Sequence, residues 1–306
     1  MEVCQVPDFL KPGDRLRVVL PSGALRERTS FEQGVEVWRS RGYDIDINFE
    51  VERRWGYLAG TDEQRRQQLF EALYDPTCRG ILCGRGGWGC ARLLEDWHWN
   101  WSSPKWLIGF SDITSLLLSL AQQGVSGVHG PLLTTISNEP VWSLQRLFDW
   151  VEGRPLPPLK AKGWNQRVAR GVLLPINLTV ATSLIGTPIQ PDFNNAILAI
   201  EDVGESPYRI DRMLTQWRLA GLLKQIKGIA IGRFSQCDAP VHIPSFTVME
   251  VLRDRLGDLD IPVVSDLPFG HDGVNAALPM GVMAELDAAQ GSLTLLSNPG
   301  DAPSIA

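Results

Sequence analysis

The sequence predicts a parallel α/β fold, and three observations carry that prediction. Short β-rich runs at residues 16–20, 43–49, 80–83 and 106–108 alternate with stretches of helical spacing, the signature of a parallel sheet with helices on both faces. Two of these runs, 80–83 and 106–108, are apolar throughout, as buried strands are. Several of them run straight into loops of small residues, at 21–24, 84–89 and 109–111. In a parallel sheet such loops lie beyond the carboxyl ends of the strands, where ligands bind.

Taken in order, residues 16–20 (Leu-Arg-Val-Val-Leu) predict the first strand, and Pro21-Ser22-Gly23-Ala24 a small-residue loop after it. Residues 31–41 carry Val35 and Trp38 at helical spacing and stop at Gly42, a C-cap residue. Residues 43–49 alternate polar and apolar, a strand with one wet face. Thr61 or Asp62 caps a helix that buries Leu69 and Leu73. Residues 80–83 form a third strand, followed by the glycine loop Gly84-Arg-Gly-Gly-Trp-Gly89 and a short helix over 91–94. Residues 106–108 form a fourth strand. A helix follows Ser111, with Ile113, Leu116, Leu117 and Leu120 on its buried side. A strand end is expected around His129-Gly-Pro131 and a helix over 142–151. The stretch 152–159, Glu-Gly-Arg-Pro-Leu-Pro-Pro-Leu, breaks the pattern and reads as a linker. Beyond it, strands are expected over 168–174, 196–200, 226–234 and 261–264, helices up to Leu184 and over 208–219 and 246–256, and a closing hairpin through 284–287 and 293–296.

Composition narrows the function. A chain of 306 residues with 44% hydrophobic content has ample material for a packed core. Its net charge of −6 argues against nucleic acid or an anionic membrane as the main partner. No apolar run approaches the roughly 20 residues that crossing a bilayer takes, and the first residues carry no secretory pattern. Five cysteines without metal-type pairs predict reduced thiols in a cytoplasmic protein. No metal or cofactor is expected.

The residues that carry chemistry stand at strand ends. Ser111 sits where a strand turns into a helix, as an N-cap or as a nucleophile whose oxyanion would meet the first N–H groups of the helix. The glycine loop is either a turn needing positive φ or a stretch of bare backbone N–H groups facing an anion; it matches neither a phosphate-binding loop nor a dinucleotide fingerprint. Of the four histidines, His98 and His242 read as surface or packing residues, while His129 and His271 lie at turns that follow strands. Glu201 leaves a buried strand, with Asp202 and Glu205 as competing acids. A serine hydroxyl needs a base, and the base needs an acceptor that holds its tautomer. Ser111, His271 and Glu201 supply those three types.

Residues 109–114, Gly-Phe-Ser-Asp-Ile-Thr, resemble the nucleophile motif of the LD-carboxypeptidases, a family of serine peptidases. Residues 58–65 (Leu-Ala-Gly-Thr-Asp-Glu-Gln-Arg), 85–89 (Arg-Gly-Gly-Trp-Gly) and His129-Gly-Pro131 resemble further motifs of that family. Residues 200–214 (Ile-Glu-Asp-Val-Gly-Glu-Ser-Pro-Tyr-Arg-Ile-Asp-Arg-Met-Leu) resemble its acid-bearing segment, and Phe269-Gly-His271 with Asn275 its histidine loop. The resemblance implies a flavodoxin-like parallel-sheet N-terminal domain over 1–152, a proline-rich linker over 153–169, and a smaller mixed α/β C-terminal domain over 170–306. It implies Ser111 as nucleophile, His271 as general base and Glu201 as its orienter, with an oxyanion hole from the backbone N–H groups of Asp112 and of Gly86 or Gly87. Substrate-binding candidates are Arg85, Trp88 and His129; Arg85 is offered for the terminal carboxylate, against a purely structural pairing with a nearby acid.

The activity implied is hydrolysis of the amide between an L-centre of a diamino acid and the terminal D-alanine of murein tetrapeptide, by a metal-free cytoplasmic homodimer. Two alternatives follow from the same resemblance: a hydrolase of microcin C-type peptidyl or aminoacyl nucleotides, with Trp88 and Trp164 as a surface for the base, or a muropeptide-binding protein without catalysis. One departure stands out. Where the family usually has two glycines, this chain has Pro175-Ile176, which is expected to stiffen or fill a loop near the cleft.

Overall fold

The computed structural model describes residues 2–95, 97–101 and 103–296, so Met1 and residues 297–306 of the outlined units lie outside it. The first half alternates strictly: β1 (Arg15–Val19), α1 (Arg28–Ser40), β2 (Asp44–Asp46), α2 (Asp62–Tyr74), β3 (Cys78–Cys83), α3 (Cys90–Leu93), β4 (Trp106–Gly109), α4 (Thr114–Gln122), β5 (Val128–His129) and α5 (Val141–Val151). The strands pair in parallel in the order β2-β1-β3-β4-β5, the flavodoxin-like order, with its switch point between β1 and β3. Residues of α2 and α4 (Leu69, Leu73, Leu116, Leu117) cover one face against Val19, Ile81 and Leu107. Phe31 and Trp38 of α1 and Trp150 of α5 cover the other against Val18, Leu82 and Ile108. Local chemistry sets the ends: Thr61 forms a capping box with Gln64 at α2, and Gly42, at φ +99°, follows the end of α1.

The second half holds β6 (Leu159–Lys160), β7 (Lys162–Gly163), β8 (Val168–Asn177), α6 (Leu178–Ser183), β9 (Ala196–Val203), α7 (Pro207–Leu219), β10 (Gly228–Ser235), α8 (Val248–Leu256), β11 (Val263–Ser265), β12 (Leu278–Pro279), β13 (Met283–Asp287) and β14 (Ser292–Leu295). Its sheet is mixed, in the order β6-β14-β13-β8-β9-β10-β11-β7. Strands β8 to β11 run parallel, and β13 and β14 form the expected hairpin, of which β13 pairs antiparallel with β8. Within 153–169, β6 and β7 are edge strands of this sheet.

Pro175 and Ile176 lie in β8, buried, rather than in a loop. The expectation of a stiffened loop is therefore replaced by a strand. The β13 ladder ends at Val172, so the missing Pro175 N–H interrupts no bond of that ladder.

The halves are joined by packing and by pairing. α4 is buried from Thr114 through Ala121, because α6 and β8 cover the side that a surface helix would leave to water. One apolar core thus runs from Ile81 and Leu117 to Leu174, Leu214 and Val251. β12, from the second half, adds to the first sheet by pairing antiparallel with β5. The five cysteines are buried and unpaired. Among the described residues no helix is long and apolar enough to cross a membrane.

Candidate active site

The loops after β1, β3 and β4 meet at the carboxyl edge of the first sheet. Gly84 N–H donates to the Val19 carbonyl at 2.9 Å, and Gly23 N–H to the Gly86 carbonyl at 3.1 Å. Ser111 enters the turn between β4 and α4 at φ +63°, a left-handed conformation costing a non-glycine residue on the order of 1 kcal/mol. The serine is no cap: its hydroxyl makes no hydrogen bond to another described residue, and neither the turn nor α4 carries a side-chain cap. Instead Ser111 lines a pocket of about 250 Å³ together with His271, Phe110, Gly86, Gly87, Arg85 and Glu27.

The glycine loop lies against the serine. A Cβ at Gly86 would crowd Ser111 Oγ at 3.1 Å, and Gly87, at φ +115°, holds a conformation that favours glycine. The N–H groups of Gly86, Gly87 and Asp112 donate to no acceptor among the described residues. They are therefore free to donate to a bound oxygen.

His271 arrives from the second half. Its Nδ1 lies 2.6 Å from Glu201 Oε2, and its ring packs on Phe110 at 4.6 Å between centroids. Glu201, near the end of β9, has no solvent exposure. Its other oxygen accepts from Asn177 Nδ2 at 3.2 Å, and the same amide donates to Asp202 Oδ1 at 3.1 Å. Asn177 and Glu201 are register partners on β8 and β9. Asp202 also accepts from Thr179 N and Oγ1. Burial, with the neighbouring Glu201 charge, raises its carboxyl to about 6.

The histidine loop is held from the first half. Asn275 N–H donates to Glu139 Oε2 at 2.9 Å, and Arg146 Nε to the Ala277 carbonyl at 3.0 Å. Asn177 N–H donates to Thr114 Oγ1 at 3.1 Å, tying the first residue of α4 to the residue that holds Glu201. Asn177, Thr114, Glu139 and Arg146 carried no sequence signal for these roles. The one readable feature was an Asn between a strand and a helix, and Asn177 does cap α6 through Val180 N–H.

The three substrate-binding candidates part company. Arg85 lines the pocket, with Nε 3.0 Å from Glu27 Oε2 and Nη1 donating to the Gly86 carbonyl. Burial works against the Glu27 charge, but the Arg85 guanidinium holds that carboxyl below its usual range. Trp88 is exposed and does not line the pocket. His129 is fully buried, edge-on to Phe110 and Phe269 behind the pocket. Neither of its ring nitrogens has a hydrogen-bond partner, with the Asn275 amide nearby outside bonding geometry, and burial pushes its pKa down to about 4. Trp164 also lies away from the pocket: its Nε1 donates to Ser265 Oγ at 2.8 Å and Arg253 covers its ring.

The model of the LD-carboxypeptidase N-terminal domain matches residues 16–130, and that of the LD-carboxypeptidase C-terminal domain matches residues 170–286. A chain of Synechocystis sp. named "Putative carboxypeptidase" is 60% identical over 288 residues, covering 94% of this chain and 96% of its own length. The crystal structure of muramoyltetrapeptide carboxypeptidase from Oxalobacter formigenes is 28% identical with a TM-score of 0.81, covering 92% of this chain and 97% of its own. The microcin C7 self-immunity protein in its wild-type apo state is 21% identical with a TM-score of 0.83, covering 95% and 98%, a likeness of fold. Two family models across most of the chain and a relative sharing three residues in five show that this chain belongs to the LD-carboxypeptidase family.

Proposed function

We propose that this protein is a serine-type LD-carboxypeptidase that removes the terminal D-alanine from murein tetrapeptide, with Ser111, His271 and Glu201 as its triad. One observation carries the reading: Ser111, held at positive φ, shares a pocket with a histidine backed at 2.6 Å by a fully buried glutamate. With Nδ1–H donating to Glu201, the Nε2 lone pair is left to take a proton. Ser111 Oγ attacks the carbonyl carbon of the scissile amide while its proton passes to Nε2. The oxygen that becomes negative is met by the N–H groups of Asp112 and of Gly86 or Gly87. Collapse breaks the C–N bond, and the Nε2 proton goes to the D-alanine nitrogen. Water, giving its proton to His271 Nε2, then attacks the acyl carbon; the C–O bond to Ser111 breaks, the tripeptide leaves as the carboxylic acid, and Nε2 returns the proton to Ser111 Oγ. Arg85, at the pocket wall, binds the terminal carboxylate.

The nucleotide-hydrolase reading offers Trp88 and Trp164 as the surface for the base, and neither lines the pocket. The muropeptide-binder reading leaves the buried Glu201–His271 pair without a use.

The test is release of free D-alanine from a muropeptide tetrapeptide by wild type and Ser111→Ala. Release by wild type that disappears in the variant is the expected result. No release by wild type, with Ser111-dependent cleavage of an aminoacyl-nucleotide analogue, overturns the proposal in favour of the nucleotide hydrolase.

A further inference from the structure

We infer that the side chain of Asp112 is a positioning residue that locks the glycine loop in register with Ser111; this rests on the serine mechanism proposed above. Asp112 directly follows the nucleophile, yet its carboxylate points into the protein with no solvent exposure. Its Oδ2 accepts two hydrogen bonds, from Ser22 Oγ at 2.6 Å and from Cys90 N at 2.8 Å. Ser22 lies in the loop after β1 and Cys90 closes the glycine loop, so one oxygen atom joins the loops after β1, β3 and β4.

A second clamp works on two of these loops, those after β1 and β3. The guanidinium of Arg65, also fully buried, donates to the carbonyls of Pro21 and Gly89 and pairs with Asp62. The glycine loop is thus fastened at its start by Gly84 to Val19, in its middle by Gly23 to Gly86, and at its end by Arg65 and Asp112. Of these ties, the Asp112 carboxylate is the one borne by the neighbour of the nucleophile.

A buried carboxylate is a costly tie when the hydrogen bonds it accepts come from a hydroxyl and an amide. Burial raises the Asp112 pKa against the pull of Ser22, Cys90 and Arg65, and no hydrogen bond of normal geometry reaches its Oδ1. A plain turn would hold without it. What the carboxylate adds is precision between Ser111 Oγ and the free N–H groups of Gly86 and Gly87. A hydrogen-bond donor misplaced from a developing oxyanion loses most of its effect.

The experiment measures the rate at which a fluorophosphonate labels Ser111, alongside kcat and KM for tetrapeptide, in wild type, Ser22→Ala, Asp112→Asn and Asp112→Ala. The phosphonyl adduct needs the same donors and does not depend on the natural substrate. Labelling and kcat should fall about 5–10-fold in Ser22→Ala and about 100-fold in Asp112→Ala, with KM within about twofold. Asp112→Asn should restore most of the rate, since an amide oxygen in the Oδ2 position accepts from both Ser22 and Cys90. Labelling of Ser22→Ala at the wild-type rate overturns the inference even where Asp112→Ala fails to fold. So does an Asp112→Asn variant as slow as the alanine, or a loss confined to KM. A wild type that the probe leaves unlabelled overturns the serine mechanism itself, a separate outcome.

Discussion

Glu201 meets Nδ1 of His271 at 2.6 Å from a position with no solvent exposure. A charge-assisted hydrogen bond in so dry a place holds the ring in a single tautomer and orientation. Replacing Glu201 by Gln keeps the shape but offers the ring a neutral amide. The expected loss is about 10²–10⁴-fold in kcat with KM little changed, read by D-alanine release. A kcat within threefold of wild type would remove Glu201 from the proposed triad.

Asn177 separates two adjacent buried carboxylates and caps α6 with the same side chain. Asn177→Ala is expected to cost about 1–2 kcal/mol in denaturant unfolding from the lost cap. It should also lower kcat about tenfold or more, because Glu201 loses the donor on its second oxygen. Stability and rate falling together distinguish this position from Glu201→Gln, where the rate falls alone.

Arg85 already has an acid, Glu27, at 3.0 Å. If the guanidinium also receives the substrate carboxylate, Arg85→Ala should raise KM for tetrapeptide about tenfold or more while kcat stays within about threefold. An unchanged KM would leave Arg85 as the structural partner of Glu27 alone.

His129 makes a prediction about stability against pH. Its ordinary pKa near 6.5 falls to about 4 in the fold because burial disfavours the charged ring. Between those values the unfolded chain binds a proton that the folded protein refuses, so His129 takes stability away as pH falls from about 6.5 to about 4. Asp202, raised to about 6, acts with the opposite sign: it adds stability as pH falls through 6, where the folded protein keeps a proton that the unfolded chain has lost. In His129→Leu the first contribution disappears. Relative to wild type, the variant should therefore gain on the order of 2 kcal/mol between pH 7.5 and 4.5 in urea unfolding. Parallel curves for the two proteins would mean that the folded protein protonates His129 as readily as the unfolded chain does.

What the sequence by itself determined is the local and the chemical. Apolar runs and helical spacing marked the strands and helices of the first sheet to within a few residues, because strand burial and helix amphipathicity are written in the order of side chains. The residue types of a serine mechanism were legible at Ser111, Glu201 and His271, and a resemblance along most of the chain named the family. Direction and distance were not legible. Nothing in His129-Gly-Pro131 says that the imidazole turns inward behind Phe110, and nothing in Pro175-Ile176 says strand rather than loop. An isolated α4 would read as a helix with one wet side; only the second half, packed over it, leaves it none. Tertiary structure alone decided that Glu201 and His271, 70 residues apart, close on each other and that His271 shares a pocket with Ser111. Contacts over such separations depend on the pairing of whole sheets, and on side chains such as Asn177, Glu139 and Arg146 whose partners lie in other elements.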